Sequence, residues 1–154
     1  MISFFLFIAL WIFMTMLSNP EPVPLKTIEI NTNLAVSEEK ITGKNGGHND
    51  GTIYQKYDLN DDELKEIIAS VETNPHWQKG ALSEELKKEI ATAQKNEMLD
   101  IDNGYFFFKD RHAEASGDIY RYDEEVVNGR FSYNYMIAAL DVENKKLYYY
   151  QLDT

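Results

Sequence analysis

The sequence predicts an α+β domain: an antiparallel sheet with two helices packed on one face, preceded by an N-terminal apolar helix. Three observations point there. Two segments, beginning near Asn60 and Ser83, space apolar side chains at helical intervals. Residues 105–108, 131–142 and 146–152 read as strands that follow those helices, and shorter strand patterns precede them. Strands before and after a pair of helices argue for an antiparallel sheet covered on one side. Residues 2–17 carry no charge, and their only polar side chains are Ser3 and Thr15.

That apolar stretch has no polar stripe, so a helix there is greasy all round and suits lipid. A helix over about 17 residues spans roughly 26 Å, near the lower limit for a bilayer core. No Lys or Arg precedes Lys26, and Met16-Leu17-Ser18 is not a small-residue cleavage site, so a cleaved signal peptide fits less well. The segment 1–18 is therefore expected to be an uncleaved membrane anchor, reaching the membrane through residues 2–17, with the body outside the cytoplasm. Pro20, Pro22 and Pro24 make residues 19–26 a semi-rigid spacer. Residues 27–154 then form the acidic α+β domain.

Within it, residues 27–31 alternate apolar and polar, a short strand pattern, and residues 42–51 predict a flexible glycine-rich loop. Residues 53–57 read as a second strand. Asn60 with Glu63 three residues on forms a capping box, Leu59 and Leu64 a hydrophobic staple, and Leu64, Ile67, Ile68 and Val71 one buried stripe that ends at Asn74-Pro75. The second helix turns Leu86, Ile90 and Ala93 inward. Trp77, in the link, is expected to plug the gap between the helices. Residues 105–108 are apolar throughout, as in a strand buried on both faces; residues 119–122 suggest a short strand. Glu143-Asn144-Lys145 joins the last two strands as a hairpin.

The chain has 26 acidic and 15 basic side chains, net -11. All but Glu21 of these charges lie from Lys26 onward, so the body is strongly acidic. That excess opposes nucleic acid as a partner, which needs a basic footprint, and favours a basic protein. With no cysteine, disulfides are excluded. Asp58-Leu59-Asn60-Asp61-Asp62 opens like a calcium loop, but Glu63 replaces the required Gly and Ala69 the bidentate Glu. Zinc would need the scattered His48, His76 and His112 together. No metal or cofactor is expected.

The catalytic candidates are Asp110, Arg111 and His112. A carboxylate near an imidazole at a strand end is an acid–base arrangement, and Arg111 suits an acid or a bound anion. No nucleophile or phosphate-binding motif accompanies them. The aromatic residues suggest instead a contact surface. Tyr148-Tyr149-Tyr150 sends rings to both faces of a sheet, so either both faces are covered or Tyr133, Tyr135, Tyr148 and Tyr150 face a partner. The strings FFFKDRH (106–112), RFSYNYMIAALD (130–141) and LYYYQLDT (147–154) resemble a family of small bacterial membrane-anchored proteins with an extracytoplasmic domain of unknown function. The resemblance implies the anchored topology and no activity. The expected function is a membrane-anchored binding or interaction module; the alternative is a small hydrolase or accessory enzyme using Asp110 and His112.

Overall fold

A computed structural model describes residues 25–34, 41–45, 51–92, 98, 100–112, 118–122 and 132–154. The expected N-terminal apolar helix lies outside them. No helix among the described residues is long and apolar enough to cross a membrane.

The fold is α+β, as expected. Among the described residues, six antiparallel strands form one sheet: β1 (Ile41–Asn45), β2 (Gly51–Asp58), β3 (Trp77–Gly80), β4 (Gly104–Asp110), β5 (Asn134–Asp141) and β6 (Lys146–Asp153), in the order β1-β2-β6-β5-β4-β3. Helix α1 (Asp61–Thr73) follows β2 and helix α2 (Glu84–Thr92) follows β3. The Asn60 side chain accepts from Glu63 N–H and the Glu63 carboxylate accepts from Asn60 N–H, both at 2.9 Å, so the capping box forms as read. Ser83 caps α2, its Oγ accepting from Leu86 N–H at 3.3 Å.

The placement of the helices corrects the sequence reading. They lie on opposite faces. Ile67 and Val71 of α1 pack with Trp77, Tyr105, Phe107, Ala138, Leu147 and Tyr149. Leu86 and Ile90 of α2 pack with Phe106, Phe108, Tyr135, Ile137, Tyr148 and Tyr150. The cause is β3, which the sequence reading took for a link. This four-residue strand pairs with β4 at the sheet edge. Gly80, at φ +130°, then adopts a backbone open mainly to glycine and leads the chain to the other face. Trp77 therefore packs on the sheet, 5.5 Å from Phe107, and donates its indole N–H to Ile28 O rather than filling a gap between helices.

Two covered faces explain why the central strands are apolar on both sides: β4 and β5 are buried along nearly their whole length. Each large apolar side chain buried there contributes ~1.5–3 kcal/mol. Three further readings change. Residues 27–31 are not a strand: Leu25–Ile28 is a short 3-10 turn. Part of the predicted loop 42–51 pairs with β2 as β1. Residues 119–122 form no strand (119–121 are turn and bend), although Ile119 O accepts Asp110 N–H at 2.8 Å and so extends the edge of β4.

Candidate functional site

Strand register gathers four loops at one end of the sheet. Asp58 pairs with Lys146, Lys146 with Asp141, Asp141 with Gly104, and Gly104 with Gly80. The loops leaving these positions are rich in acid. Two are tied together: Leu59 N–H donates to Lys145 O at 2.9 Å, Lys145 pairs with Asp61 at 2.6 Å, and Lys146 pairs with Asp58. Asp141 is buried and holds the hairpin turn, accepting from the backbone and side-chain N–H groups of Asn144. Lys87 is spent on Glu84, 2.8 Å away. Asp62, Glu85, Asp100, Asp102 and Glu143 are exposed and form no ion pair among the described residues. Among the described residues this end therefore carries an excess of exposed acid.

Beside it, at the β3–β4 edge, a cleft of about 380 Å³ opens. Phe106 and Phe108 of β4, Leu82, Leu86 and Tyr122 are among the residues that line it. Tyr122 meets Phe108 edge-on, ring centroids 5.5 Å apart. Glu85 and Arg121 supply charge to the lining. The Lys79 ammonium, although its residue lines the cleft, serves α1's face: it lies 3.8 Å from Glu72 and 5.3 Å from the Tyr105 ring centre.

Near the opposite end of the sheet sits a polar hub that sequence reading missed. Glu29 follows the 3-10 turn. Ile30 N–H bonds Leu25 O and Glu29 N–H bonds Lys26 O, a Schellman closure whose left-handed position is ordinarily glycine. Glu29 occupies it at φ +59°. Its carboxylate receives Tyr120 OH at 2.6 Å, His76 Nδ1 at 2.6 Å and Lys109 Nζ at 3.0 Å. The His76 and Tyr120 rings stack at 3.5 Å. Burial pushes the Glu29 carboxyl up, but the Tyr120, His76 and Lys109 hydrogen bonds and the lysine charge outweigh it and hold it at about 2. The hub ties residues 25–34 to the body, helped by Asn31 N–H to Ser70 Oγ and Asn33 N–H to Glu66. The pattern of alternating Ile28, Glu29 and Ile30 was visible in the sequence, but nothing there named partners 47 to 91 residues away.

The predicted catalytic residues lie at that same end and form a strand exit. Asp110 is buried, and its Oδ1 accepts the backbone N–H of His112 at 2.9 Å. His112 is exposed, with Nε2 3.5 Å from Ser132 Oγ. Arg111 Nη2 lies 3.5 Å from Asp153 Oδ2, a partly exposed carboxylate at the end of β6 and not the core-facing acid expected for it. The cleft is on another part of the edge and does not include these three residues.

The predicted tyrosine surface is corrected. Tyr135, Tyr148 and Tyr150 are 1%, 5% and 0% exposed, under α2 and its flanking residues; Tyr133 is half-buried beside them. The second helix-covered face leaves these rings as core. Among the described residues no three His, Asp or Glu side chains converge as a metal ion would need. No protein-family model, curated protein or solved structure matches the chain.

Proposed function

We propose that this protein is a membrane-anchored binding module, its body outside the cytoplasm, that engages a basic protein through the acidic end of its sheet. The observation that carries the reading is positional. Residues 25–34 enter the body beside Trp77 and Lys109, near the end of the sheet remote from the four acidic loops. An anchor at residues 2–17 and a proline spacer would thus attach on the side facing the bilayer and leave the acidic end pointing away from it. Charges arranged this way steer a basic partner and raise its rate of encounter, an effect that weakens with salt because screening acts within ~8 Å at physiological ionic strength.

The test combines fractionation with charge reversal. The full chain should sediment with membranes and release into detergent. Basic proteins captured on it should be lost when Asp62, Asp102 and Glu143 are all changed to Lys, and at high salt. Full-length protein in the soluble fraction would overturn the anchor. An unchanged set of captured proteins with the triple variant would overturn the acidic end as the binding surface.

A further inference from the structure

We infer that residues 25–34 form a latch clasped by the Glu29 hub: they open as one unit while the sheet stays folded, and their release lengthens the tether between membrane and body. The tether half of this rests on the anchored reading above; the opening itself does not. The segment lies outside the sheet, whose six described strands pair with one another and not with it. Among the described residues its backbone-to-backbone hydrogen bonds are internal, Glu29 N–H to Lys26 O at 3.1 Å and Ile30 N–H to Leu25 O at 3.0 Å.

What fastens it is a row of side chains on the body. The Trp77 indole N–H donates to Ile28 O at 2.9 Å, and Asn74 Nδ2 donates to Glu29 O at 3.0 Å. Ser70 Oγ accepts Asn31 N–H at 2.8 Å, and the Glu66 carboxylate accepts Asn33 N–H at 3.0 Å. His76, Tyr120 and Lys109 close on the Glu29 carboxylate. Glu66 and Ser70 belong to α1, Trp77 to β3 and Lys109 to β4. Helix α1 is capped by its own Asn60 and Glu63, and β3 and β4 are held by ladder pairs. None of these elements uses the backbone of the segment to complete itself. Its departure breaks the clasp and leaves the ladders whole.

Opposing terms meet in the closed form. Burial of Leu25, Ile28 and Ile30 holds the latch shut. The entropy of ordering the segment opposes closure, and Glu29 at φ +59° adds strain. The clasp is also placed to take load first. A pull on the chain ahead of Leu25 reaches the Ile28, Glu29, Asn31 and Asn33 contacts before it reaches β1, and loosens them one after another. Extended, the freed segment spans at most about 35 Å, the added reach of the body.

The experiment is native-state hydrogen exchange on the full chain in neutral detergent. The Ile30, Asn31 and Asn33 amides and the Trp77 indole N–H should share one opening equilibrium, at least about tenfold more populated than that of the ladder amides of β5 and β6. Glu29→Gln should raise that population by about tenfold. Asn60→Ala weakens the α1 cap in the closed and open forms alike, so it should speed the ladder amides about fivefold and leave the latch probes unchanged. Latch probes that exchange together with the ladder amides, that each follow a separate rate, that ignore Glu29→Gln, or that accelerate with Asn60→Ala as much as the ladder does would each overturn the latch. The two proposals fail separately. Exchange reports the latch whether or not the chain is anchored, and fractionation reports the anchor. A separately opening segment in a soluble full-length protein keeps the latch and removes the tether; a membrane-bound chain that opens only as a whole removes the latch alone.

Discussion

Glu29 provides the most exacting test of the physical account, because one side chain combines an unfavourable backbone with a favourable network. In the folded chain its carboxyl is held at about 2 against an ordinary 4.5. Each pH unit of that interval corresponds to ~1.4 kcal/mol, so complete transfer into stability gives ~3 kcal/mol at neutral pH. The side chain is 24% exposed, and solvent screens its partners, so about half, ~1.5 kcal/mol, is the expected loss in Glu29→Gln. The folded value lies below the unfolded one. The contribution is therefore complete above pH 4.5 and disappears as pH falls from there towards 2. Urea unfolding of the full chain, followed by far-ultraviolet circular dichroism, should show wild type and Glu29→Gln separated at pH 7, with the gap falling to about 40% of that at pH 3. Other carboxylates titrate in both proteins and cancel in the comparison. The backbone is tested by Glu29→Gly against Glu29→Ala: at φ +59° glycine should be the more stable by ~1 kcal/mol. A gap between wild type and Glu29→Gln that stays constant from pH 7 to pH 3 would refute the network, and equal stability of the Gly and Ala variants would refute the strain.

Gly104→Ala should be severe. A Cβ there would lie 2.3 Å from Leu140 O and 2.8 Å from Ile101 Cγ2, and the nearer atom is backbone of the paired strand. A cost of ~3 kcal/mol, lowering Tm by on the order of 10 °C, is expected in thermal melts; an unchanged Tm would contradict the close approach of β4 and β5. Asn60→Ala removes half of a reciprocal cap and should cost ~1 kcal/mol in urea unfolding, with Asn60→Ser nearly neutral. Burial raises the hydroxyls of Tyr135, Tyr149 and Tyr150, with Glu89 adding to the effect at Tyr135. In an alkaline spectrophotometric titration these three should ionise only as the chain unfolds, and a single midpoint near 10 for all ten tyrosines would refute the two-sided core.

The parts of the fold that were legible are those whose causes are local. Asn60, Glu63 and the Leu64 to Val71 stripe specify α1 within a dozen residues, and the apolar run 105–108 announces a strand covered on both sides. The hairpin of β5 and β6 follows from two strand patterns and one turn. What escaped depends on distant partners. A strand such as Trp77–Gly80, with one buried residue, has no period to detect, and it exists because β4 offers it an edge. Missing it put both helices on one face and left Tyr135, Tyr148 and Tyr150 without cover. The Glu29 hub was illegible for a related reason: its carboxylate is shared by groups contributed from three separate parts of the chain, and its backbone takes a conformation that sequence rules reserve for glycine. Glu85 and the cleft were invisible because the β3 edge that frames them was.

The pairing of β2 with β6 has a temporal consequence. Gly51 meets Asp153 about a hundred residues later, and β6 comes after every other described strand in chain order. Strand β2 and the β1 hairpin it anchors thus have no neighbour on their inner side until β6 has been synthesised and has docked on β5. Such long-range pairing is slow to close and leaves strand edges open in the meantime. The sheet is accordingly expected to close only after β6 has emerged from the ribosome, and to depend in that interval on whatever shields nascent chains from one another.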